Sequence, residues 1–182
     1  MPLFRMPFFV AGLLRKRAVR ELFQATADAF GCDMPSLRGL SADEALRAYA
    51  LFTAQHAEQA LRAGQNLDAL RQRLYDNAYA LGAKYRRRLH IHSPAGAMRA
   101  ARWLYKLIGI DFVGSRDGQV IIRRCYFSAH YSAGVCSLMA AMDNGLLAGL
   151  AGGGKLEFHA RLTEGAPACR AQFRPQEEEE ER

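Results

Sequence analysis

Three residues in the back third of the chain have side chains that do chemistry, and they fall within nineteen positions of one another: Cys125, Cys136 and Asp143. Cys136, Met139, Ala140 and Asp143 recur at the spacing of one helical stripe. A carboxylate on an otherwise apolar stripe costs several kcal/mol to bury or keeps its proton. It therefore calls for a backbone N–H, an arginine such as Arg123 or Arg161, or a bound substrate. A thiolate beside it would be a nucleophile or a soft metal ligand. Its pKa falls from about 8.5 only near a cation, a metal or a helix N-terminus. Arg123, Arg124 and His130 are the cations nearest in sequence. A third thiol, Cys169, sits where a last strand should begin. The plainer readings stand beside these. Each cysteine also suits a small core position, and Asp143 also suits a structural carboxyl held by backbone.

Positioning these groups takes a helical front and a sheet behind it. Lys16 to Phe30 has Val19, Leu22, Phe23, Ala27 and Phe30 at helical spacing, with Gly31 as the stop. Ser41-Ala42-Asp43-Glu44 is a capping box that opens a helix to about Ala63. A third helix spans Asn66 to about Tyr85. Ser93-Pro94 offers an N-cap and N1 proline for a fourth, reaching Ile108. After Gly109 the period falls to two. Ile110–Val113 and Gln119–Arg124 read as strands around the turn Ser115-Arg116-Asp117-Gly118. A helix from about Ser132 to Leu150 precedes an alternating stretch, Lys155–Thr163, and a last strand, Cys169–Arg174. The alternation puts Leu156, Phe158, Ala160 and Leu162 on one face, with Arg161 and His159 on the other. The fold class expected is α+β: a helical half, 1–109, packed on a four-stranded antiparallel β-β-α-β-β sheet, 110–176. Residues 1–176 form one domain in this reading, and the glutamates of 177–182 form a disordered acidic tail.

Composition narrows the function classes. The chain has 182 residues, half of them hydrophobic, and a net charge of +7. Five of the 18 acidic residues lie in the last six positions, and the front 109 residues hold 17 Lys/Arg against 8 Asp/Glu. Fibrous and wholly disordered classes are excluded. No apolar run reaches the roughly 18 residues of a membrane span, so the chain reads as soluble. Four cysteines without CxxC spacing or an export signal imply free thiols in a reducing, cytoplasmic setting. The basic front suits nucleic acid, anionic lipid or a small carboxylate. Arg86-Arg87-Arg88 lacks interleaved aromatics for stacking on bases, so nucleic acid ranks last. Membrane-surface contact through residues 1–17 fits the apolar segment there. His90 and His92 could pair on a metal, but no third ligand follows from spacing.

Read in order, Arg124-Cys125-Tyr126, Cys136, Asp143 to Leu150, Leu156 to Gly165 and Cys169 to Phe173 resemble the L-2-amino-thiazoline-4-carboxylic acid hydrolase family. The likeness spans about 50 residues, Arg124 to Arg174. Similarity to 4-vinyl reductase domains and plastid carotenoid isomerases is weaker. The family's last strand reads Cys-acid-Phe where this chain has Cys169-Arg170-Ala171-Gln172-Phe173. The resemblance implies hydrolysis of a C–N or C–S bond in a small cyclic amidine-like carboxylate. Cys136 or Cys125 would then attack the ring carbon, or hold iron or zinc together with Cys169. Asp143 would carry the proton and Arg123 or Arg161 would clamp the carboxylate, with Tyr126 and His130 also binding substrate. The alternative expectation is a binding module for a lipid, pigment or cofactor, which needs no carboxylate beside thiols.

Overall fold

Each helix starts where the sequence can satisfy its free N–H groups. In the computed structural model, which describes residues 8–64 and 66–176 (side chains from Gly12 onward), five α-helices precede and interleave four strands. Helix α1 is Phe8–Phe30, α2 Ala42–Arg62, α3 Leu67–Arg88 and α4 Pro94–Leu107. Ser41 and Glu44 close the capping box at 3.2 and 2.7 Å. Asn66, Ser93 and Ser132 each accept an N–H from three residues on. Helix α1 begins at Phe8 rather than Lys16, because the apolar run before Lys16 shows no amphipathic period to reveal it. Residues 1–7 and the acidic 177–182 lie outside the described residues.

The sheet follows: β1 Ile110–Gly114, β2 Gln119–Cys125, β3 Lys155–Ala160 and β4 Cys169–Arg174. Helix α5, Ala133–Ala151, joins β2 to β3. The order is β1-β2-β4-β3, antiparallel throughout, so β4 lies between the two strands that α5 connects. The hairpin turn is the expected one. Gly118 at φ +83° closes it, and its carbonyl accepts the Phe173 N–H at 2.8 Å. A Cβ on Gly118 would collide with the Phe173 carbonyl oxygen.

Two bulges reset the strands' alternation. Ile110 pairs with Cys125 and Phe112 with Ile122, so Arg123 and Arg124 together oppose Asp111. Val120, Ile122 and then Cys125 therefore face inward, and both arginines are exposed. In β3, Phe158 pairs with Ala171 but Ala160 with Arg170, leaving His159 as the extra residue. The regular alternation expected for Lys155–Thr163 ends there. The chain leaves the strand at Ala160 and makes a single 3-10 turn, Leu162–Glu164.

Helix α5 is the core. It is apolar on nearly every side, as a helix surrounded by protein must be, and α3 lies against it at backbone distance. A Cβ on Gly145 would strike the Tyr75 carbonyl oxygen, one on Gly149 that of Tyr79, and one on Gly82 that of Leu146. Among the described residues α5 alone is long and apolar enough to cross a membrane by length and composition, and 56% of it is buried here. Asp143 and Asn144 interrupt its apolar run, which is why no such run stood out in the sequence. The basic run at the end of α3 is partly tied into the fold: Arg86 donates to the Ile91 carbonyl at 3.2 Å, and Arg88 pairs with Glu21 at 3.5 Å.

Candidate functional site

The end of β2, one face of α5, the start of β4 and the two 3-10 turns (Tyr126–Ala129 and Leu162–Glu164) meet around a cavity of about 80 Å³. Cys125, Cys136, Cys169 and Asp143 all line it. The first bulge is what turns Cys125 inward, and the helical spacing of seven puts Cys136 and Asp143 on the same side of α5. Ala140, expected on that stripe, faces instead a surface groove beside α3, together with Ser137 and Asn144.

Asp143 is the cavity's acid. Burial raises its pKa to about 6, against the pull of a Tyr105 hydrogen bond and the positive field of Arg161. The Tyr105 hydroxyl donates to Oδ1 at 2.7 Å. At pH 7 the carboxyl is mostly ionised, yet a proton can be returned to it at little cost. That is the range in which a general acid–base works best.

The thiols are in the opposite condition. Burial pushes Cys125 up to about 12, and the Asp143 charge adds to it, while the N–H groups of Phe127 and Ser128 offset part. Cys136 is raised by burial first, with the Thr163 hydroxyl drawing it back, and Cys169 is raised by burial against the Leu162 N–H, which reaches its sulfur at 3.4 Å. All three hold their protons at neutral pH. With Cys125 near 12, about one molecule in 10⁵ carries its thiolate at pH 7.

Three tyrosines complete the polar lining. The Tyr49 hydroxyl lies 3.0 Å from Thr26 Oγ1, and Tyr131 lies 2.5 Å from Thr53 Oγ1. These bonds hold two rings rigidly at the cavity wall. Thr163 Oγ1 is buried at the same wall, beside the Cys136 thiol on which it acts.

Not every residue expected here arrives. Arg123 and Arg124 are exposed on the outer side of the sheet, because the bulge that turns Cys125 in turns both of them out. Tyr126 packs against Gly109 and His130, its ring 5.2 Å from the imidazole, and neither Tyr126 nor His130 lines the cavity. Arg161 leaves the polar face assigned to it but does not line the cavity either. It borders the surface groove beside α3, 19% exposed, with its guanidinium 5.1 Å from the centre of the Phe158 ring and paired with Glu164 at 3.3 Å. Only its field reaches Asp143, Cys136 and Cys169, offsetting part of the rise that burial imposes on each. Tyr49, Tyr105, Tyr131 and Thr163 were not singled out as site residues, although Tyr105 stood on the inward stripe of α4.

Comparison of the chain with protein-family models, curated proteins and solved structures finds no match. The site is read from its own geometry. Among the described residues no three histidine, cysteine or acidic side chains come together closely enough to hold a metal ion. Cys125, Cys136 and Cys169 share a cavity without forming a ligand set, so the iron or zinc site expected from them does not fit this arrangement.

Proposed function

We propose that the chain is a hydrolase-like enzyme acting on a small cyclic amidine- or thiazoline-type carboxylate inside the Cys/Asp cavity. The observation that carries this reading is the meeting of Asp143, poised near pH 6, with Cys125 and Cys136 around one cavity. Because the thiols are protonated, sulfur attacks only as its proton leaves. Asp143 accepts that proton while the S–C bond forms at the C=N carbon, then delivers it to the ring nitrogen. The ring bond to sulfur or nitrogen in this tetrahedral adduct then breaks, the leaving atom taking a proton from a remaining N–H through Asp143 as a C=N bond re-forms. Water adds across that C=N, its proton going to the nitrogen. The adduct collapses to a carbonyl as the S–C bond to the enzyme is cleaved and the cysteine sulfur takes the hydroxyl proton. A substrate carboxylate here would lie in the field of Arg161, which already reaches Asp143, Cys136 and Cys169. The buried Nε of Arg161 has no partner among the described residues.

The test is turnover of 2-amino-thiazoline-4-carboxylate and related cyclic isothioureas. Asp143→Asn should lower kcat by about 10²-fold or more, and Cys125→Ser or Cys136→Ser should abolish it for whichever sulfur attacks. Unchanged turnover in all three variants would refute the scheme. The protonated state of all three thiols favours a second reading, a binding module whose cavity holds a small apolar ligand without consuming it. Under that reading the same compounds raise the melting temperature of parent and Cys136→Ser protein equally, and no product forms.

A further inference from the structure

A second site lies on the opposite kind of surface, between α1 and the loop joining it to α2. Leu13, Lys16, Arg17 and Arg20 follow at helical spacing on α1, and Arg38 faces them from the loop. Together with Met34, Pro35 and Leu37 they enclose a groove of about 640 Å³ whose lining contains no carboxylate residue. The groove is built rather than accidental. The Lys16 ammonium donates to the Leu40 carbonyl at 2.6 Å, holding the loop on the helix, and Gly31 and Gly39 take left-handed backbone at φ +73° and +82° to shape it. Other cations of this region are engaged: Arg15 pairs with Asp43 at 2.5 Å and Arg17 reaches Glu21 at 3.4 Å. Arg20 and Arg38 are exposed and have no ion-pair partner among the described residues.

Leu13, at one end of the groove, is 64% exposed, and in the sequence Phe9 and Val10 precede it at the same helical spacing. Apolar residues followed by a basic turn on one helix stripe form the pattern of a helix that lies in a membrane interface, with its cations among lipid phosphates. We infer that this groove docks the protein on an anionic phospholipid surface, with Arg20 and Arg38 taking headgroup phosphates and Leu13 entering the acyl boundary. Nucleic acid fits less well, since none of the groove-lining residues is aromatic and none could stack on bases. The inference is independent of the chemistry assigned to the thiol cavity.

Co-sedimentation of the full chain with vesicles tests it. Binding is expected to phosphatidylcholine vesicles containing about one-third phosphatidylglycerol, not to phosphatidylcholine alone, and it should be lost as salt shortens the range of the charges. Arg20→Gln with Arg38→Gln should weaken partitioning about 30-fold, as expected for two interfacial cations. Arg99→Gln with Arg116→Gln removes equal charge outside the groove and should change it less than about twofold. Thermal melts of both double variants check that each is folded. The inference is overturned if the anionic vesicles fail to bind, if the control pair weakens binding as much as the groove pair, or if single-stranded RNA binds more tightly at the same salt and is lost with the same groove variant.

Discussion

Replacing Asp143 by Asn should stabilise the protein at neutral pH while removing the group its proposed chemistry needs. The carboxyl releases its proton near 6 in the fold and near 3.8 when free. The folded state therefore holds the proton more tightly, and stability falls as pH rises from about 4 to 6. Above that range the full cost of an ionised, buried carboxylate is present. At about 1.4 kcal/mol per pH unit, the gap amounts to about 3 kcal/mol. Asn keeps the acceptor for the Tyr105 hydroxyl, but its amide N–H groups enter the cavity without an assigned partner, which costs about 1–2 kcal/mol. The net expectation is a gain of about 1–2 kcal/mol at pH 8. It reverses to a loss of about 1–2 kcal/mol at pH 4, where Asp143 is already neutral. Urea unfolding of both proteins at pH 4, 6 and 8 measures this directly. A variant less stable than the parent at pH 8, or a difference that does not vary with pH, would show that Asp143 is not a charge buried at a cost.

Tyr105→Phe removes a hydrogen bond that favours the ionised carboxyl. The Asp143 titration followed by NMR should move above 6, and the acid limb of any pH–rate profile should move with it. Cys125 should resist iodoacetamide in the native protein at pH 7 and react at the rate of an ordinary thiol only after unfolding, a contrast that mass spectrometry resolves by peptide. Gly149→Ala brings a methyl group against the Tyr79 carbonyl and the α3 backbone. A loss of about 3 kcal/mol or more in chemical denaturation is expected, at the upper end for overpacking. Ser41→Ala should cost about 1 kcal/mol through the capping box alone, without altering the cavity.

What could be read from the sequence was whatever local rules decide. Ser41, Asn66, Ser93 and Ser132 announce four helix starts because a side-chain oxygen two or three residues ahead of an apolar stripe has one dominant use. The hairpin at Ser115–Gly118 and the inward set Cys169, Ala171 and Phe173 are equally local, and the α+β arrangement follows from them. The convergence of Cys136 with Asp143 was legible from helical spacing. Two other features depend on pairing with strands distant in sequence. No glycine or proline marks Arg123-Arg124 as a bulge, so the arginines looked available to the thiols and the inward turn of Cys125 had no signature. The β3 bulge at His159 likewise moved Arg161 from an assumed solvent face to the edge of the site. Tyr49 and Tyr131 join through hydroxyl bonds to Thr26 and Thr53, contacts between helices that single-chain periodicity cannot register.

The doubled arginine opposite Asp111 also makes the end of β2 sensitive to how it is paired. Cys125 lies three residues beyond the inward Ile122, so an unbroken two-residue alternation through both arginines would carry its sulfur to the solvent side. A chain with one arginine here would need no bulge, because its cysteine would fall two residues beyond the isoleucine and stay inside. The second arginine is tolerated only because both residues share one partner.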